Sequence, residues 1–413
     1  MELQQFETEH QGQLTIYLQN IEQRDYLLSK IRDQVYQSQL RLIIRVVDEV
    51  LAWDAIMEHD VDIFYIQKEQ AAMIVDQLMP LEPSLVELMN LNGLTKFLEV
   101  INDAGHVFTP YSYSGPLFVY NKTLLTQLGF DMEALDEKNR PVQLSDWTSI
   151  IEVNNQYNLK VPTINRKPLT ALFPLTIDEP WQFYPFLTAG GWQMFTTNDA
   201  SDPSFLSTDF FHSLLFIKSL GETNWDLTKT NNYSWRYEKT LLQNTAPMGI
   251  ETEWMDVVSY GDRSNQEFIF TAFPKVGNKQ PTPLVNVKGL VAKQNPFPSL
   301  THEIIRILVE YDAVQLMLDT TDEILAIPID LIDEFEMDPI KRQKSLAYLS
   351  SVSEPLVALV DNPQIRGWDF YLDGNHVDII KEVFQQTLSP EQAQSMLIQR
   401  YQQWYQLNNG NGQ

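Results

Sequence analysis

The chain has 413 residues, which is more than one compact core usually holds and enough for two domains. Its 55 acidic residues against 29 basic ones give a net charge of −26, and this field repels the phosphates of nucleic acids and of anionic lipids, so neither is an expected partner. The absence of cysteine excludes disulfides, zinc–thiolate sites, iron–sulfur clusters and a cysteine nucleophile.

The first 80 residues alternate between strand-like and helix-like segments. The pattern predicts strands at 14–18, 42–47 and 61–66 and helices at 21–35, 49–57 and 69–78. Alternation with such short connections implies a parallel sheet with right-handed crossovers. Ligands bind beyond the carboxyl ends of the strands in an open sheet of this kind, and here those ends are 19–20 and 67–69.

The middle and the end of the chain have a different character. Residues 105–122 form an extended, aromatic segment with Pro and Gly, and residues 144–147 open a helix with Ser145 or Asp146 as its N-cap. The pattern then predicts a helix-rich block over 200–260, strands at 268–274 and 283–287, a helix at 300–318, a mostly helical remainder from 330 and a flexible tail at 409–413. Two domains without a low-complexity linker predict a chain that crosses between them more than once.

Residues 176–192 (TIDEPWQFYPFLTAGGW) bring five aromatic residues and two acids together, with a Gly-Gly turn directly before the last aromatic residue. Sugars present apolar C–H faces and a belt of hydroxyls, so a site for them needs flat rings for stacking and carboxylates that accept hydrogen bonds. On its own the segment is compatible with a core, a sugar platform or a catalytic carboxylate.

Four segments resemble carbohydrate-binding receptors of ABC transporters and keep the order that they have in that family. They are 111–125 (YSYSGPLFVYNKTLL), 246–254 (APMGIETEW), 273–283 (FPKVGNKQPTP) and 361–368 (DNPQIRGW). Receptors for maltose and maltodextrins are the most similar in pattern, and in them the segment 176–192 has a counterpart of the form Glu-Pro-Tyr.

The resemblance implies an α/β fold with two lobes, the type II fold of periplasmic binding proteins, joined by a hinge of several chain segments. One lobe would hold residues 10–112 and 272–322, and the other would hold 113–271 and 323–408. The ligand would lie in the cleft between the lobes, and closure of the lobes would signal to the transporter.

The resemblance also assigns ligand contacts to acids and aromatic rings. By the resemblance these are Glu69, Glu179, Trp181, Trp254 and Trp368, with Phe370 or Tyr371 able to take the role of Trp368. Glu22, near the end of the first strand, could reach the cleft, and Tyr113 could replace part of the contact that the family's acid makes at the position of Ser114. For the tryptophans the alternative is core packing, and for Glu69 it is a solvated position in a first helical turn, which the helix dipole favours. Ile66 and Ser114 stand where the family has an aromatic ring and an acid. We therefore expect a carbohydrate ligand, with maltose not the preferred one.

The expected function is that of a substrate-binding receptor of an ABC importer, without enzymatic activity, metal or cofactor. A glycoside hydrolase needs two carboxyl groups roughly 5–10 Å apart across one bond. Glu251 and Glu253 are too close in sequence for this, and no motif supplies a partner for Glu179. Two alternatives stay open: a receptor of the same fold for an amino sugar, polyol or glycoside, and a surface interaction module.

The resemblance implies two membrane permease subunits as partners, a monomeric receptor, and a location outside the cytoplasmic membrane, either periplasmic or as a cell-surface lipoprotein. No apolar run reaches the roughly 18–20 residues of a transmembrane helix. The first residues lack the basic start and apolar middle of a signal peptide, so the expected form is a processed one without its leader.

Overall fold

The structure is a computed structural model that describes residues 12–38, 40–46, 61–91, 100–159, 163–164, 167–168, 173, 175, 177–195, 201–223, 246–252, 265–327, 331–351 and 367–409. The strands are β1 (Gln13–Leu18), β2 (Arg41–Val46), β3 (Ile63–Gln67), β4 (Ile101–Asn102), β5 (Gly105–His106), β6 (Thr109–Ser114), β7 (Pro116–Asn121), β8 (Thr163–Ile164), β9 (Lys167–Pro168), β10 (Met248–Thr252), β11 (Phe268–Thr271), β12 (Asn286–Ala292) and β13 (Ile324–Leu325). The helices are α1 (Ile21–Ser38), α2 (Lys68–Met73), α3 (Pro83–Leu91), α4 (Lys122–Gln127), α5 (Trp147–Leu159), α6 (Pro180–Leu187), α7 (Thr208–Thr223), α8 (Pro298–Val309), α9 (Tyr311–Thr320), α10 (Pro339–Ser351), α11 (Gly367–Leu372), α12 (Val377–Phe384) and α13 (Pro390–Asn409).

The described residues divide into two compact units, each built from separate stretches of the chain. The first unit contains the described residues of 1–114 and 286–338. The second contains those of 115–285, 339–357 and 364–413. Within the described part, the chain therefore passes from one unit to the other more than once.

The transitions lie a few to about fifteen residues from the boundaries drawn from the sequence. The structure has them at 114–115, 285–286 and 338–339, and the sequence-based division has them at 112–113, 271–272 and 322–323. The residues between 323 and 338 belong to the first unit because Ile324 and Leu325 pair with Tyr113 and Ser112 of β6.

The first unit is built on a six-stranded mixed sheet with the order β13-β6-β12-β3-β1-β2. Strands β2 and β3 both run parallel to β1, as the strand–helix alternation predicts. Strand β12 runs antiparallel between β3 and β6, and β13 is antiparallel to β6 at the edge. The α/β class predicted from the sequence is therefore confirmed, with antiparallel strands added to the parallel ones.

The core of the first unit contains apolar side chains of its strands packed together with those of helix α1. Leu14 and Ile16 of β1 are fully buried, and Leu27 and Ile31 of α1 belong to the same apolar cluster. At about 25 cal/mol per Å² of apolar surface, each such side chain stabilises the fold by roughly 1.5–3 kcal/mol. These strands are thereby fixed in register, and the loops at their carboxyl ends have a rigid base.

The second unit contains a three-stranded antiparallel sheet, β10-β7-β11, and most of the helices. Aromatic rings dominate its core: the ring centroid of Trp147 in α5 lies 6.0 Å from Phe118 of β7 and 5.5 Å from Phe186 of α6. The N-cap of α5 is Asp146, one of the two predicted, whose Oδ1 accepts a 3.0 Å hydrogen bond from the Ser149 N–H.

Several predicted elements differ from the observed ones. The helix predicted at 69–78 is α-helical only at Lys68–Met73 and is followed by a 3-10 turn at Val75–Gln77. Residues 248–252, predicted within a helix-rich block, form β10 because they pair with β7 along their whole length. The helix predicted at 300–318 is two helices, broken at Glu310, whose ψ of 160° is extended. The strand predicted at 283–287 begins only at Asn286 and runs to Ala292. The helix predicted at 49–57 lies outside the described residues.

Gly190, the first residue of the Gly-Gly turn, is packed directly against α7. A Cβ atom on it would lie 2.2 Å from the backbone oxygen of Asp209 and 2.7 Å from the backbone nitrogen of Ser213. We expect Gly190→Ala to lower the free energy of unfolding by about 1–3 kcal/mol in urea titrations, because a helix backbone must move. Gly277→Asn is the control, since Gly277 has open space and a φ of 60°, close to the left-handed conformation that Asn adopts most readily. If both variants lose the same free energy of unfolding, the contact between Gly190 and α7 is not the cause of the destabilisation.

Candidate ligand-binding site

One edge of the six-stranded sheet gathers polar residues from distant parts of the chain. Strands β1, β3 and β6 end at this edge, whereas β12 and β13 begin there, because both run antiparallel to their neighbours. Ligands of α/β proteins bind beyond the carboxyl ends of strands in this way. The edge lies entirely within the first unit.

An ion pair between β12 and the start of β13 forms the centre of this edge. Lys288 Nζ lies 2.8 Å from Glu323 Oε1, and the side chains are 16% and 25% exposed, respectively. Gln19, directly after β1, donates a 3.4 Å hydrogen bond from Nε2 to the same carboxylate oxygen. A partly buried pair of this kind is screened less by salt than one on the open surface.

Two buried tyrosines are connected to this pair through Gln23 and Gln19. Gln23 Nε2 donates hydrogen bonds to the hydroxyl oxygens of Tyr65 at 2.7 Å and of Tyr111 at 3.0 Å, and the two rings lie 4.8 Å apart. Burial raises the pKa of both hydroxyls, and the negative charge of Glu323 raises it further. Both phenols therefore stay neutral and hold Gln23, whose Oε1 accepts from the Gln19 N–H.

Two oxygens of the cluster have no hydrogen-bond partner among the described residues. They are Oε1 of Gln19 and Oε2 of Glu323, and both are shielded from solvent. A buried acceptor without a partner costs about 1–3 kcal/mol. Because both oxygens are inaccessible to a water-sized group in this structure, a hydrogen-bond donor reaches them only when the Gln19 or Glu323 side chain moves.

Four of the eight predicted site residues belong to this edge. Tyr113 and Ser114 end β6 and are half-buried, and Ser114 is opposite Asn286 in the ladder. Glu69 lies in the first turn of α2, directly after β3, where burial raises the pKa of its carboxyl group. Glu22 lies in the first turn of α1, after β1, and is exposed.

The other predicted residues belong to the second unit or lie outside the described part. Glu179 is exposed directly before α6, where its carbonyl oxygen accepts a 2.9 Å hydrogen bond from the Phe183 N–H. Trp181 is half-buried in the first turn of the same helix. Trp254 lies outside the described residues.

Trp368 occupies a different environment from the one that the resemblance suggests. Only 3% of its surface is exposed, and its ring centroid lies 5.8 Å from both Tyr184 and Phe195. Phe370 and Tyr371, which could have taken its role, are fully buried as well. The geometry at Trp368 is therefore that of an aromatic core, the alternative considered for the tryptophans.

Lys288 and Glu323 were not among the residues singled out from the sequence. Each has a local signal: Lys288 interrupts the apolar strand 286–292 (NVKGLVA), and Glu323 directly precedes the apolar residues 324–327 (ILAI). A charged residue next to or inside a buried strand needs a partner. The signal shows that partners exist, but only the sheet register shows that these two residues are partners.

No protein-family model matches the chain, and no curated protein matches it either. None of the described helices is both long enough and apolar enough to cross a membrane. In the described part of the chain, no three histidine or acidic side chains are grouped closely enough to hold a metal ion.

Proposed function

We propose that the chain is the substrate-binding receptor of an ABC importer and that its ligand is a carbohydrate. The two units are, in this proposal, the two lobes of a type II receptor. The observation that carries the proposal is the set of polar side chains at the carboxyl edge of the first unit's sheet, centred on Lys288 and Glu323. The segments at 111–125 and 246–254, which resemble sugar receptors, support it.

The chemistry of the edge suits sugar hydroxyls. The partly exposed side chains of Glu323 and Lys288 offer an acceptor and a donor at this edge. A charge-assisted hydrogen bond to a hydroxyl contributes about 1.5–3 kcal/mol. The net charge of −26 does not oppose a neutral ligand. Trp181, half-buried in the second unit, is the stacking ring that the resemblance assigns.

The test is a titration of the full chain with maltose, longer maltodextrins, an amino sugar and a polyol, followed by calorimetry and tryptophan fluorescence. We expect saturable binding of one class without product formation on chromatography. Formation of a hydrolysis product would contradict the receptor proposal and would favour a glycoside hydrolase. If none of the tested sugars binds, the result would favour a surface interaction module.

For the ligand found in that panel, we expect Glu323→Gln to weaken binding by about 10- to 100-fold, because a charge-assisted bond becomes a neutral one. Calorimetry measures the change, and the unfolding temperature without ligand confirms that the variant is folded. Glu133→Gln is the matched control, since Glu133 is 82% exposed on the second unit. Unchanged affinity in Glu323→Gln would exclude the edge as the binding site.

We expect Trp181→Ala to weaken binding of the same ligand by at least about tenfold, since it removes the assigned stacking ring. Calorimetry again gives the dissociation constant. Tyr405→Ala on α13 serves as the control for loss of a partly exposed ring. If Trp181→Ala binds as well as the unmodified chain, the second unit does not supply this contact.

A further inference from the structure

Two of the ligand contacts that the resemblance assigns, Glu179 and Trp181, lie at the beginning of α6 with side chains that solvent can reach. The Glu179 side chain makes no capping hydrogen bond to the helix, and Pro180 at its first position has no N–H to donate. The start of α6 therefore lacks the side-chain cap that usually fixes a helix N-terminus, and its orientation depends on other contacts.

A hydrogen bond from α11 supplies one of these contacts. The Tyr371 hydroxyl donates a 2.6 Å hydrogen bond to the Pro180 carbonyl oxygen. That oxygen belongs to the planar peptide group that joins Pro180 to Trp181, so the bond fixes the orientation of this plane. The proline ring restricts φ of Pro180 at the same place. Together the two constraints leave the backbone little freedom where it enters Trp181.

Tyr371 can hold a neighbouring segment because it is itself fixed. Its side chain is fully buried, and its ring centroid lies 5.4 Å from Tyr184 of α6 and 4.2 Å from His376. Burial raises the pKa of the Tyr371 hydroxyl, so the hydroxyl stays protonated and remains a donor. The turn after α11 is held by Arg400, whose Nη1 donates a 2.9 Å hydrogen bond to the Asn375 carbonyl oxygen. The donor therefore has a rigid base.

An ion pair fixes the other side of Glu179. Asp178, the residue directly before it, pairs with Lys381 of α12, and the two side chains are 22% and 27% exposed, respectively. A partly buried pair of this kind is screened less by salt than one on the open surface. Residues 178 and 180 are thus both held by helices from the C-terminal part of the second unit, and Glu179 lies between the two contacts.

We propose that Tyr371 and Lys381 are positioning residues for the carbohydrate site, because they hold residues 178–181 in the conformation that presents Glu179 and Trp181 to the sugar. The inference rests on the proposed function for the ligand, whereas the contacts of the segment are observed independently of it. Tyr371, which the sequence offered as a possible stacking ring, has no exposed surface and acts through Trp181 without touching the sugar.

The first test needs no ligand and uses fluorine NMR of the full chain labelled with fluorotryptophan. Trp181→Phe removes one of the signals of the nine tryptophans and thereby assigns it. Tyr371→Phe keeps the ring and removes only the hydroxyl that donates to Pro180. We expect the Trp181 signal to shift or broaden in this variant, since its backbone is no longer held. A Trp181 signal that stays unchanged would overturn the proposal for Tyr371.

Tyr120→Phe is the matched control. The Tyr120 hydroxyl is buried in the same unit and donates a 2.9 Å hydrogen bond to the Leu144 carbonyl oxygen, outside residues 178–181. This variant loses a bond of the same kind, so the Trp181 signal should remain as it is in the unmodified protein. Unfolding temperatures confirm that both variants are folded. An equal change of the Trp181 signal in both would mean that it responds to any lost buried hydrogen bond, which would overturn the positioning role.

The second test measures affinity by calorimetry for whichever of maltose, a maltodextrin, an amino sugar or a polyol binds the unmodified protein. Tyr371→Phe should weaken binding by about 3- to 10-fold, because a segment that is no longer fixed must be ordered when the sugar binds. Lys381→Gln, which removes a partly exposed pair, should weaken it by about 2- to 5-fold. Unchanged affinity in both variants would overturn the proposal.

A double-mutant cycle separates positioning from a general loss of structure. In a Trp181→Ala background, Tyr371→Phe should weaken binding much less than it does in the unmodified protein, because its effect passes through the missing ring. A loss of the same size in both backgrounds would overturn the positioning role.

The two tests also separate this inference from the proposed function. If none of the four sugars binds but Tyr371→Phe changes the Trp181 signal, the receptor proposal fails and the hold of Tyr371 on Trp181 is supported. If a sugar binds and the Trp181 signal does not change, the receptor proposal stands and the positioning role of Tyr371 is wrong.

Discussion

Arg140→Ala should lower the free energy of unfolding by about 3–5 kcal/mol, because it removes a fully buried cation and leaves its partner carboxylate unpaired. Arg140 Nε and Nη2 lie 2.8 and 2.7 Å from Asp136 Oδ2. Its Nη1 donates to the Phe273 carbonyl oxygen at 2.9 Å and to Gln280 Oε1 at 3.0 Å. One side chain thus joins two loops of the second unit that are more than 130 residues apart. Urea unfolding followed by circular dichroism measures the loss.

The carboxyl group of Asp136 offers a second readout of the same interaction. Burial acts to raise its pKa, but hydrogen bonds from the Arg140 side chain and backbone outweigh burial and hold the pKa below its ordinary value. The pair therefore stabilises the fold above the pKa of the unfolded carboxyl group, and the contribution is lost as the pH falls through the folded value. In Arg140→Ala the pKa of Asp136 should rise, which NMR titration of the carboxyl group can follow.

Lys275→Ala provides the matched control in the same region. Its Nζ lies 3.4 Å from a carboxylate oxygen of Glu137, and the two side chains are 38% and 75% exposed. Exposed pairs of this kind contribute about 0–1 kcal/mol. Equal destabilisation by Arg140→Ala and Lys275→Ala would mean that burial of the guanidinium group is not what makes it important.

The periodicity of apolar residues along the sequence was sufficient to predict the first strands and the first helix of the first unit. Strands β1, β2 and β3 were found within two residues and helix α1 within three, because their apolar periodicity is set by residues close in sequence. Strand β10 was missed because residues 248–252 form a strand only through pairing with β7, which lies more than 120 residues earlier. Pairing partners at that distance leave no local signal.

The candidate site shows the same division. Its place at the carboxyl ends of β1 and β3 follows from strand order, so Glu69 and the region of Gln19 were found from the sequence. The contact between Lys288 and Glu323 depends on both residues reaching the edge through antiparallel strands, which no periodicity predicts. Trp368 shows a second limit of sequence-based prediction. A tryptophan ring can pack in a core or stack on a sugar, and the residue type is the same in both cases. Only its burial separates the two.

His376 should make the protein lose stability in acid more than its carboxylates alone would. The side chain is 2% exposed, stacks on Tyr371 with ring centroids 4.2 Å apart, and neither ring nitrogen has a hydrogen-bond partner among the described residues. Burial lowers the pKa of His376 to about 3 from 6.5; the nearby Asp378 acts to raise it and Arg400 to lower it. Above pH 6.5 the imidazole is neutral in both states, and the full stability is present. As the pH falls from 6.5 towards 3, only the unfolded chain takes up the proton, so stability is lost.

His376→Phe isolates this effect because it keeps a flat ring against Tyr371 and removes the titrating group. Between pH 7 and pH 4 the unmodified protein should lose about 3 kcal/mol more than the variant, at about 1.4 kcal/mol for each pH unit below 6.5. At pH 7 the variant should be as stable or more stable, since two unpaired ring nitrogens are gone. His212→Gln is the control for the loss of a histidine at an exposed position, because His212 lies on the surface of α7. Parallel stability curves for the unmodified protein and His376→Phe would show that His376 takes up its proton without unfolding, through a local opening of the turn before α12.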